Sequence, residues 1–273
     1  MRTICVINRK GGVGKTTTAV SIAAKLAIED RQVLLIDLDP QGNIGQSLRQ
    51  ASEHTVYDVL TGNATPEACT LTLGKNLDVI PSNETLTKID SYLNQLQDPS
   101  KLLSEQFAGI KGYDYLIFDC APSLGMLNQN AMLFCDEALI PASTRYLSMS
   151  ALTSMLEAIE KVNQHFDHSL EVKYIVPTLH DKRNKTNKDM HQEMKDSFGD
   201  KVTKPIRINS KLAEAPAAGK SIFTYEKSCR GAKDYEELVK RILKDEKQSP
   251  KQASQEPISA RVQRIMADVQ VED

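Results

Sequence analysis

Short apolar runs that end in polar or acidic residues recur along this chain. Most are rich in valine, isoleucine and leucine, which is typical of strands buried on both faces of a sheet. Amphipathic stretches with helical spacing lie between several of them. This alternation predicts an α/β fold, with a doubly wound, mainly parallel sheet flanked by helices. The predicted strands are 4–7, 33–36, 77–80, 115–118, 138–140 and 172–176, and the predicted helices include 16–28, 99–110, 148–166 and 189–198.

The pattern changes towards the C-terminus. A last strong helical pattern covers 231–244, and the polar residues 245–257 that follow have almost nothing to bury. Such a composition is typical of a disordered linker. Helical spacing of apolar residues returns in a short amphipathic segment, 258–273. We therefore expect one domain over 1–244, a linker and a C-terminal segment.

Composition narrows the class of protein. A chain of 273 residues with 40% hydrophobic content can bury one sizeable core. No apolar run approaches the roughly 20 residues that span a bilayer, and the chain enters its first strand without a signal-peptide pattern. The five cysteines are scattered without CxxC spacing, which favours reduced thiols. We expect a soluble, cytoplasmic protein.

The net charge of −2 conceals an asymmetry along the chain. Residues 1–181 contain 14 Lys and Arg against 21 Asp and Glu, whereas residues 182–244 contain 16 against 9. The second region therefore carries a net charge of +7, from 16 minus 9. A basic third on an otherwise acidic protein predicts a surface that faces a polyanion.

A glycine-rich loop follows the first predicted strand and precedes the first predicted helix. Residues 8–18 read Asn-Arg-Lys-Gly-Gly-Val-Gly-Lys-Thr-Thr-Thr. Glycines allow the backbone to wrap closely round a polyphosphate, while Lys15 can reach its β- and γ-phosphates and Thr16 can ligate Mg²⁺. The second lysine, Lys10, adds a cation near the phosphates. The predicted nucleotide-binding residues here are Lys10, Gly11, Gly12, Val13, Gly14, Lys15, Thr16 and Thr17.

Carboxylates end two further strands. Asp37 and Asp39 occupy alternate positions at the end of the second run, so both point towards the same crevice. Near a phosphate loop, such a pair can hold metal-bound water and orient an attacking water. Asp119 ends the fourth run in a Walker B pattern and can bind Mg²⁺ through water. Together the three motifs predict an NTPase.

The loop Lys-Gly-Gly-Val-Gly-Lys-Thr-Thr resembles the deviant Walker A box of the ParA/MinD group of dimeric P-loop ATPases. The string Asp-Leu-Asp-Pro-Gln-Gly-Asn at 37–43 is similar to the switch I region of ParA proteins, and 119–123 resembles switch II with Ala121 in place of a proline. The resemblance implies that Lys10 reaches the nucleotide of the other subunit. It also implies that Asp39 positions the attacking water and that Asp37 lies in the Mg²⁺ shell.

The expected base is adenine. The family closes its adenine pocket just before a Leu-x-Glu-Ala-Pro segment, which here is 212–216. By this resemblance Asn209 contacts the adenine edge. Arg207 and Ile208 stand where the family has proline and arginine, so those contacts do not carry over. The chain has no Asn-Lys-x-Asp guanine motif, and the expected cofactors are ATP and Mg²⁺.

The resemblance extends over 1–244 and includes Ser-Cys-Arg-Gly-Ala at 228–232, which is similar to the Ser-Arg-Gly-Ala of Soj-type ParA proteins. Those proteins bind DNA non-specifically as ATP-bound dimers. Binding of this kind needs clustered cations and no base-reading element, and we find no helix-turn-helix pattern before the phosphate loop. The candidate DNA-binding residues are Lys182, Arg183, Lys185, Lys211, Lys220 and Arg230.

The sequence thus predicts a ParA-like, nucleoid-associated ATPase that partitions plasmid or chromosomal DNA, with slow intrinsic turnover stimulated by a ParB-type partner. One alternative is a MinD-like membrane-cycling ATPase, but the segment 258–273 ends in acidic residues and has no aromatic residue, unlike a lipid-surface helix. Another is a ParA-like positioner of a non-DNA cargo. A metabolic enzyme of the same superfamily, such as a nitrogenase-iron-protein or synthetase relative, is not favoured. Iron–sulfur members need cysteines at the dimer face, and only Cys120 lies near a switch.

Overall fold

Seven strands form one sheet in the computed structural model, which describes residues 1–50, 52–145 and 148–246. They are β1 (Arg2–Val6), β2 (Val33–Leu38), β3 (Leu71–Gly74), β4 (Leu77–Ile80), β5 (Tyr115–Cys120), β6 (Glu137–Ser143) and β7 (Glu171–Thr178). Their order is β3-β4-β2-β5-β1-β6-β7, and every pairing is parallel except that of β3 with β4. The mainly parallel sheet predicted from the apolar runs is therefore confirmed.

Helices connect the strands and cover the sheet. They are α1 (Lys15–Ile28), α2 (Asn43–Leu48), α3 (Val56–Leu60), α4 (Ile89–Leu93), α5 (Leu102–Phe107), α6 (Met126–Phe134), α7 (Ser148–Phe166), α8 (Lys185–Phe198), α9 (Ser210–Ala217), α10 (Ile222–Tyr225) and α11 (Arg230–Glu246). Short 3-10 turns lie at Glu84–Lys88, Pro99–Lys101 and Gly199–Lys201.

The core has two halves, one on each face of the sheet. On β2, Leu34 and Ile36 pack with side chains of α5, α6 and α7, whereas Val33 and Leu35 pack with those of α1 and α11. Successive strand residues point to opposite faces, and both faces are covered. This is why the central strands read as continuous apolar runs rather than as an alternating pattern.

The sequence did not predict strand β3. It has four residues at the edge of the sheet, and its side chains alternate between partly exposed and exposed. Its short, half-polar sequence therefore lacks the apolar run by which we recognised the other strands. Helix α8 starts at Lys185, before the predicted 189, because its first turn is polar and is capped by Asn184, whose side chain accepts a hydrogen bond from the Asn187 N–H.

Helix α11 is anchored at the edge of the sheet where the parallel strands begin. The guanidinium of Arg2 donates to both carboxylate oxygens of Glu137 and, at 2.9 Å, to the Ile242 carbonyl. Near the end of α11, the Tyr174 hydroxyl donates to Asp245 at 2.9 Å. The helix thus continues two residues beyond the predicted boundary at 244, to Glu246. The rest of the predicted linker and the segment 258–273 lie outside the described residues.

All five cysteines are free thiols. Cys5, Cys69, Cys120 and Cys135 are completely buried, and only Cys229 is partly exposed. This agrees with the expectation of reduced cysteines that pack in the core. Across the three described ranges, no helix has both the length and the apolar character needed to span a bilayer.

Candidate nucleotide-binding site

The glycine-rich loop joins β1 to α1 at the centre of the sheet. Gly12 and Gly14 have φ of +70° and +89°, a left-handed conformation that strains residues with a side chain. A Cβ built on Gly11, Gly12 or Gly14 would meet no atom within 4 Å. The loop therefore needs glycine for its backbone conformation, and it leaves open space on the side that a phosphate would occupy.

Buried polar side chains hold the two ends of this loop. Asn8 donates to the Pro141 carbonyl at 2.7 Å and accepts from the Lys10 N–H at 2.9 Å. The Thr178 hydroxyl, at the end of β7, donates to the Val13 carbonyl at 2.8 Å. The loop is thus fixed to β6 and β7, so its shape is set before a ligand arrives.

Lys15 is the first residue of α1, and its side chain is almost completely buried. Its Nζ donates to the Lys10 carbonyl at 3.3 Å, which places the ammonium inside the curve of the loop. Burial lowers the pKa of Lys15, although Asp119 and Asp39 act in the opposite direction. An ammonium held in this position matches the predicted contact with a polyphosphate.

Two of the predicted carboxylates lie side by side at the centre of the sheet. Asp37 on β2 and Asp119 on β5 are register partners, and both are completely buried. The Asp37 carboxylate accepts from the backbone N–H groups of Asp39 at 3.0 Å and Ile44 at 3.1 Å. Burial raises the pKa of Asp37 to about 7, against the effect of these two hydrogen bonds. Both of its oxygens therefore help to shape the loop before α2.

Asp119 is different, because neither of its carboxylate oxygens has a hydrogen-bond partner among the described residues. Burial, followed by the neighbouring Asp37, raises its pKa well above the usual range, and the proximity of Thr16 and Lys15 only partly offsets this. A buried carboxylate without a partner is costly unless a proton or a cation neutralises it. Asp119 and Thr16 thus fit a Mg²⁺ site, whereas Asp37 fits a supporting role.

Within the described ranges, no cluster of three or more His, Cys, Asp or Glu side chains could hold a metal ion by itself. Mg²⁺ commonly takes only one or two protein ligands and completes its octahedron with phosphate oxygens and water. The single free carboxylate of Asp119 beside the Thr16 hydroxyl is therefore the kind of partial site that a nucleotide completes.

Asp39 follows β2 and lines the cavity in front of the loop. It is mostly buried, and its Oδ1 accepts from the Gln41 N–H at 3.0 Å. With only one backbone hydrogen bond, its carboxylate retains the capacity to bind a water molecule. The water-positioning role of Asp39 stays a prediction, and this free capacity is what that role requires.

The cavity has a volume of about 800 Å³ and extends from the phosphate loop to α9 and α10. Asn209 lines it and caps α9, since its Oδ1 accepts from the Lys211 N–H at 2.9 Å. The amide nitrogen of Asn209 remains available for a base edge. Ile208, which is 49% exposed, lines the same end and presents an apolar surface there.

Tyr235 and Lys220 are among the cavity-lining residues that our sequence interpretation did not assign to this site. Tyr235 of α11 reaches the site from its apolar helix face and shares a 3.0 Å hydrogen bond with the Thr18 hydroxyl. Helical spacing identifies Tyr235 only as a core residue. Lys220, which the charge pattern assigns to DNA binding, lines the cavity beside Ser221.

The other candidate DNA-binding residues are distributed over three places. Three of them, Lys182, Arg183 and Lys185, are exposed just before and at the start of α8. Arg183 forms a 2.9 Å ion pair with Asp181, and its side chain is 92% exposed. Lys211 pairs with Glu214 at 2.7 Å in the first turn of α9. Arg230 is exposed at the start of α11.

Three comparisons with known proteins agree with this site. Residues 1–172 match the family described as an AAA domain. Over 255 residues the chain is 35% identical to the chromosome partitioning protein ParA of Caulobacter vibrioides, covering 90% of this chain and 96% of that protein. The chain belongs to the ParA/Soj family of P-loop ATPases. It is also 37% identical over 245 residues to the sporulation initiation inhibitor protein Soj of Bacillus subtilis, covering 88% and 97% of the two chains.

A solved structure with the same fold extends the comparison of this ParA/Soj family member. Cobyrinic acid a,c-diamide synthase from Mycobacterium smegmatis, solved with bound ADP and magnesium, has a TM-score of 0.80 and 29% identity. The similarity covers 94% of this chain and all of the synthase chain. The ligands of that structure are consistent with the ATP and Mg²⁺ expected from the phosphate loop and Asp119.

Replacing Asp119 by asparagine is expected to raise the melting temperature of the nucleotide-free protein. The raised pKa means that the native carboxyl stays protonated at a pH at which the unfolded one has ionised, so its contribution to stability declines as pH rises above roughly 4. Asparagine cannot ionise, and the advantage of Asp119→Asn should therefore be larger at pH 8 than at pH 5.5. Thermal unfolding at both values measures this.

Mg²⁺ should raise the melting temperature of the ADP-bound unchanged protein, because it binds the folded state. In Asp119→Asn this increase should be lost, because the asparagine amide oxygen carries no charge with which to hold the ion. Asp189→Asn, at an exposed position within α8, is the control and should change neither property. A melting-temperature difference between Asp119→Asn and the unchanged protein that shrinks as pH rises would contradict the assignment of Asp119 as a buried, unpartnered carboxyl.

Proposed function

We propose that this ParA/Soj-type protein binds ATP with Mg²⁺, forms an ATP-dependent dimer, binds DNA non-specifically and partitions DNA together with a ParB-type partner. The observation that carries the proposal is the position of Lys15 at one end of a large cavity, with the buried, unpartnered carboxylate of Asp119 close to Lys15 and Thr16. The chain also carries exposed cations on two other helices. The related partitioning proteins support the cellular role.

Hydrolysis follows from the positions of a few side chains. Lys15 would contact the terminal phosphates, while Thr16 and Asp119 would hold Mg²⁺, which neutralises phosphate charge when it is bound. Asp39, which also lines the cavity, would orient the attacking water. The protein's contribution is mainly positioning and electrostatic stabilisation, as is usual in phosphoryl transfer.

Intrinsic turnover should be slow. Among the residues that line the cavity, the one arginine is Arg207, and its guanidinium is held by Asp234 at 2.6 Å. It therefore cannot move freely to the γ-phosphate, and an arginine that does so is worth roughly 10³–10⁵ in rate. This supports a requirement for a partner that stimulates hydrolysis.

Dimerisation would complete the site. Lys10 is partly exposed on the rim of the phosphate loop, and its own carbonyl rather than its ammonium contacts Lys15. The side chain is thus free to extend away from its own loop. In the dimer that we propose, Lys10 of each subunit contacts the nucleotide of the other.

DNA binding would use the exposed cations of the basic third. Arg230 has no ion-pair partner among the described residues, and its charge opposes the dipole at the start of α11. A cation there is mildly unfavourable unless an anion binds it, which makes Arg230 the strongest candidate for a phosphate contact. Arg183 is second, because its partner Asp181 leaves most of the guanidinium exposed.

Reversing these charges is expected to weaken DNA binding without affecting nucleotide binding. Arg230→Glu, and to a smaller extent Arg183→Glu, should flatten the log–log dependence of affinity on salt by roughly 0.9 for each DNA phosphate that the protein no longer neutralises. DNA affinity measured over a salt series with saturating ATP tests this. Lys244→Glu, at the other end of α11, is the matched control and should leave the slope unchanged.

If the Arg183→Glu/Arg230→Glu double variant still dimerises with ATP and its DNA affinity has an unchanged salt slope, these two arginines are not part of the DNA-binding surface.

The MinD-like alternative has a separate test, because it requires ATP-dependent binding to vesicles that contain anionic lipid. We expect no such binding. Binding to the vesicles with ATP, together with absence of DNA binding, would favour the membrane-cycling alternative.

A further inference from the structure

The start of helix α11 contacts the wall of the nucleotide cavity through an ion pair. Arg207 lines the cavity, and its guanidinium donates to the Asp234 carboxylate from Nε at 2.9 Å and from Nη2 at 2.6 Å. The backbone N–H of Arg207 donates to the same carboxylate at 3.0 Å. Both side chains are largely shielded from water. Such a bidentate, charge-assisted pair fixes geometry as well as energy.

A second contact lies one residue after Arg230. A Cβ built on Gly231 would lie 2.7 Å from Cγ of Leu212, a residue that lines the cavity from α9. Helix α11 therefore touches α9 closely, and only glycine permits this approach. There is no gap between Leu212 and α11 at Gly231. If a bound base moved Leu212 towards α11, the helix would therefore have to move as well.

The third contact is made by Tyr235, whose hydroxyl shares a 3.0 Å hydrogen bond with Thr18 in α1. Both residues are buried, and Thr18 lies in the first turns of the helix that begins at the phosphate loop. Tyr235 also lines the cavity. The first six residues of α11 thus contact three separate elements that line the nucleotide cavity, namely α1, α9 and the segment before α9.

We propose that helix α11 transmits occupancy of the nucleotide cavity to the DNA-binding surface, with Asp234 as the positioning residue and Arg230 as the output. The pair lies one helical turn from Arg230, so a shift of Arg207 is passed to Arg230 along a rigid element. Closely packed interiors transmit such displacements rather than absorb them. This inference rests on the proposed function, since it requires ATP-dependent DNA binding.

The test compares two carboxylates of α11 that both bind cations from the segment before α9. Asp234→Asn removes the charge from the partly buried Arg207–Asp234 pair, whereas Glu237→Gln removes it from the exposed Lys204–Glu237 pair at 3.0 Å. DNA affinity is measured with ATP and with no nucleotide, at protein concentrations at which sedimentation shows ATP-dependent dimers. The quantity compared is the factor by which ATP increases DNA affinity. In Asp234→Asn we expect this factor to be at least about fivefold smaller than in the unchanged protein, since fivefold is the lower end of common coupling between two sites. Glu237→Gln should retain the full factor.

Coupling between two binding sites is reciprocal. DNA should therefore increase the ATP affinity of the unchanged protein and increase it less in Asp234→Asn. If Asp234→Asn lowers DNA affinity equally with and without ATP, the residue has only a structural role and the proposal is wrong. Loss of dimerisation would also overturn it, because the pair would then act on assembly.

A second variant keeps the proposal testable if Asp234→Asn unfolds. Gly231→Ala would push against Leu212 and should also reduce the ATP-dependent factor, and Leu212→Ala in the same chain should restore part of it by removing the clash. Failure of the double variant to recover would count against coupling through this contact. If the unchanged protein shows no ATP-dependent DNA binding at all, the proposed function fails instead.

Discussion

Lys15→Gln is expected to reduce ATP affinity by at least about 100-fold, or roughly 2.8 kcal/mol at 1.4 kcal/mol per factor of ten. The Lys15 ammonium is buried inside the phosphate loop, and glutamine removes the charge while keeping similar length. Hydrogen bonds from charged donors are typically worth more than neutral ones. Equilibrium titration with a fluorescent ATP analogue measures the effect, and dimerisation and DNA binding should disappear with it.

The matched control is Lys25→Gln, further along the same helix. Lys25 forms a 2.6 Å ion pair with Glu29 and does not line the cavity. It should keep ATP affinity within about threefold, or roughly 0.7 kcal/mol, since its side chain does not line the cavity. Normal ATP affinity in Lys15→Gln would exclude the loop as the phosphate site.

Asp39→Ala should keep ATP bound, in contrast to Lys15→Gln. Its rate of hydrolysis should fall by about 10²–10⁴-fold, which is the usual contribution of a positioned acid or base. The phosphate loop and Asp119 are untouched by this change, so affinity should alter little. Because the ATP-bound state would then persist, the variant should accumulate as a dimer on DNA. Single-turnover hydrolysis together with sedimentation in ATP measures both effects.

Asp39→Asn separates catalysis from loop shape. Asparagine can still accept the Gln41 N–H at the position of Oδ1, but it has no charge with which to orient a water molecule. We therefore expect Asp39→Asn to be as slow as Asp39→Ala. Recovery of hydrolysis in the asparagine variant would show that Asp39 only shapes the turn, and the catalytic assignment would be wrong.

The central part of the site could be predicted from the sequence because its signals are local. Glycines at fixed spacing, a lysine at the start of a helix and a carboxylate at the end of an apolar strand each predict one position. Parallel strands then bring their carboxyl ends to one edge of the sheet. Asp37 and Asp119 are far apart in the chain and neighbours in space for this reason.

Contacts between distant helices could not be predicted in the same way. Helical spacing marks Tyr235 as apolar and Lys220 as a surface cation, and it contains no information on which helix packs against the loop. The division of roles between Asp37 and Asp119 was also hidden, since both end a strand. Only the hydrogen bonds to Asp37 show that one carboxylate shapes the loop while the other has no partner among the described residues.

The burial of four of the five cysteines has a practical consequence for measuring these events. Cys229 precedes Arg230, and its partly exposed sulfur accepts a hydrogen bond from the Ala232 N–H at 3.4 Å. A maleimide fluorophore should therefore modify the native protein at this one thiol. The unaltered chain thus carries its own labelling position at the start of α11, where a change in emission would report motion of that helix.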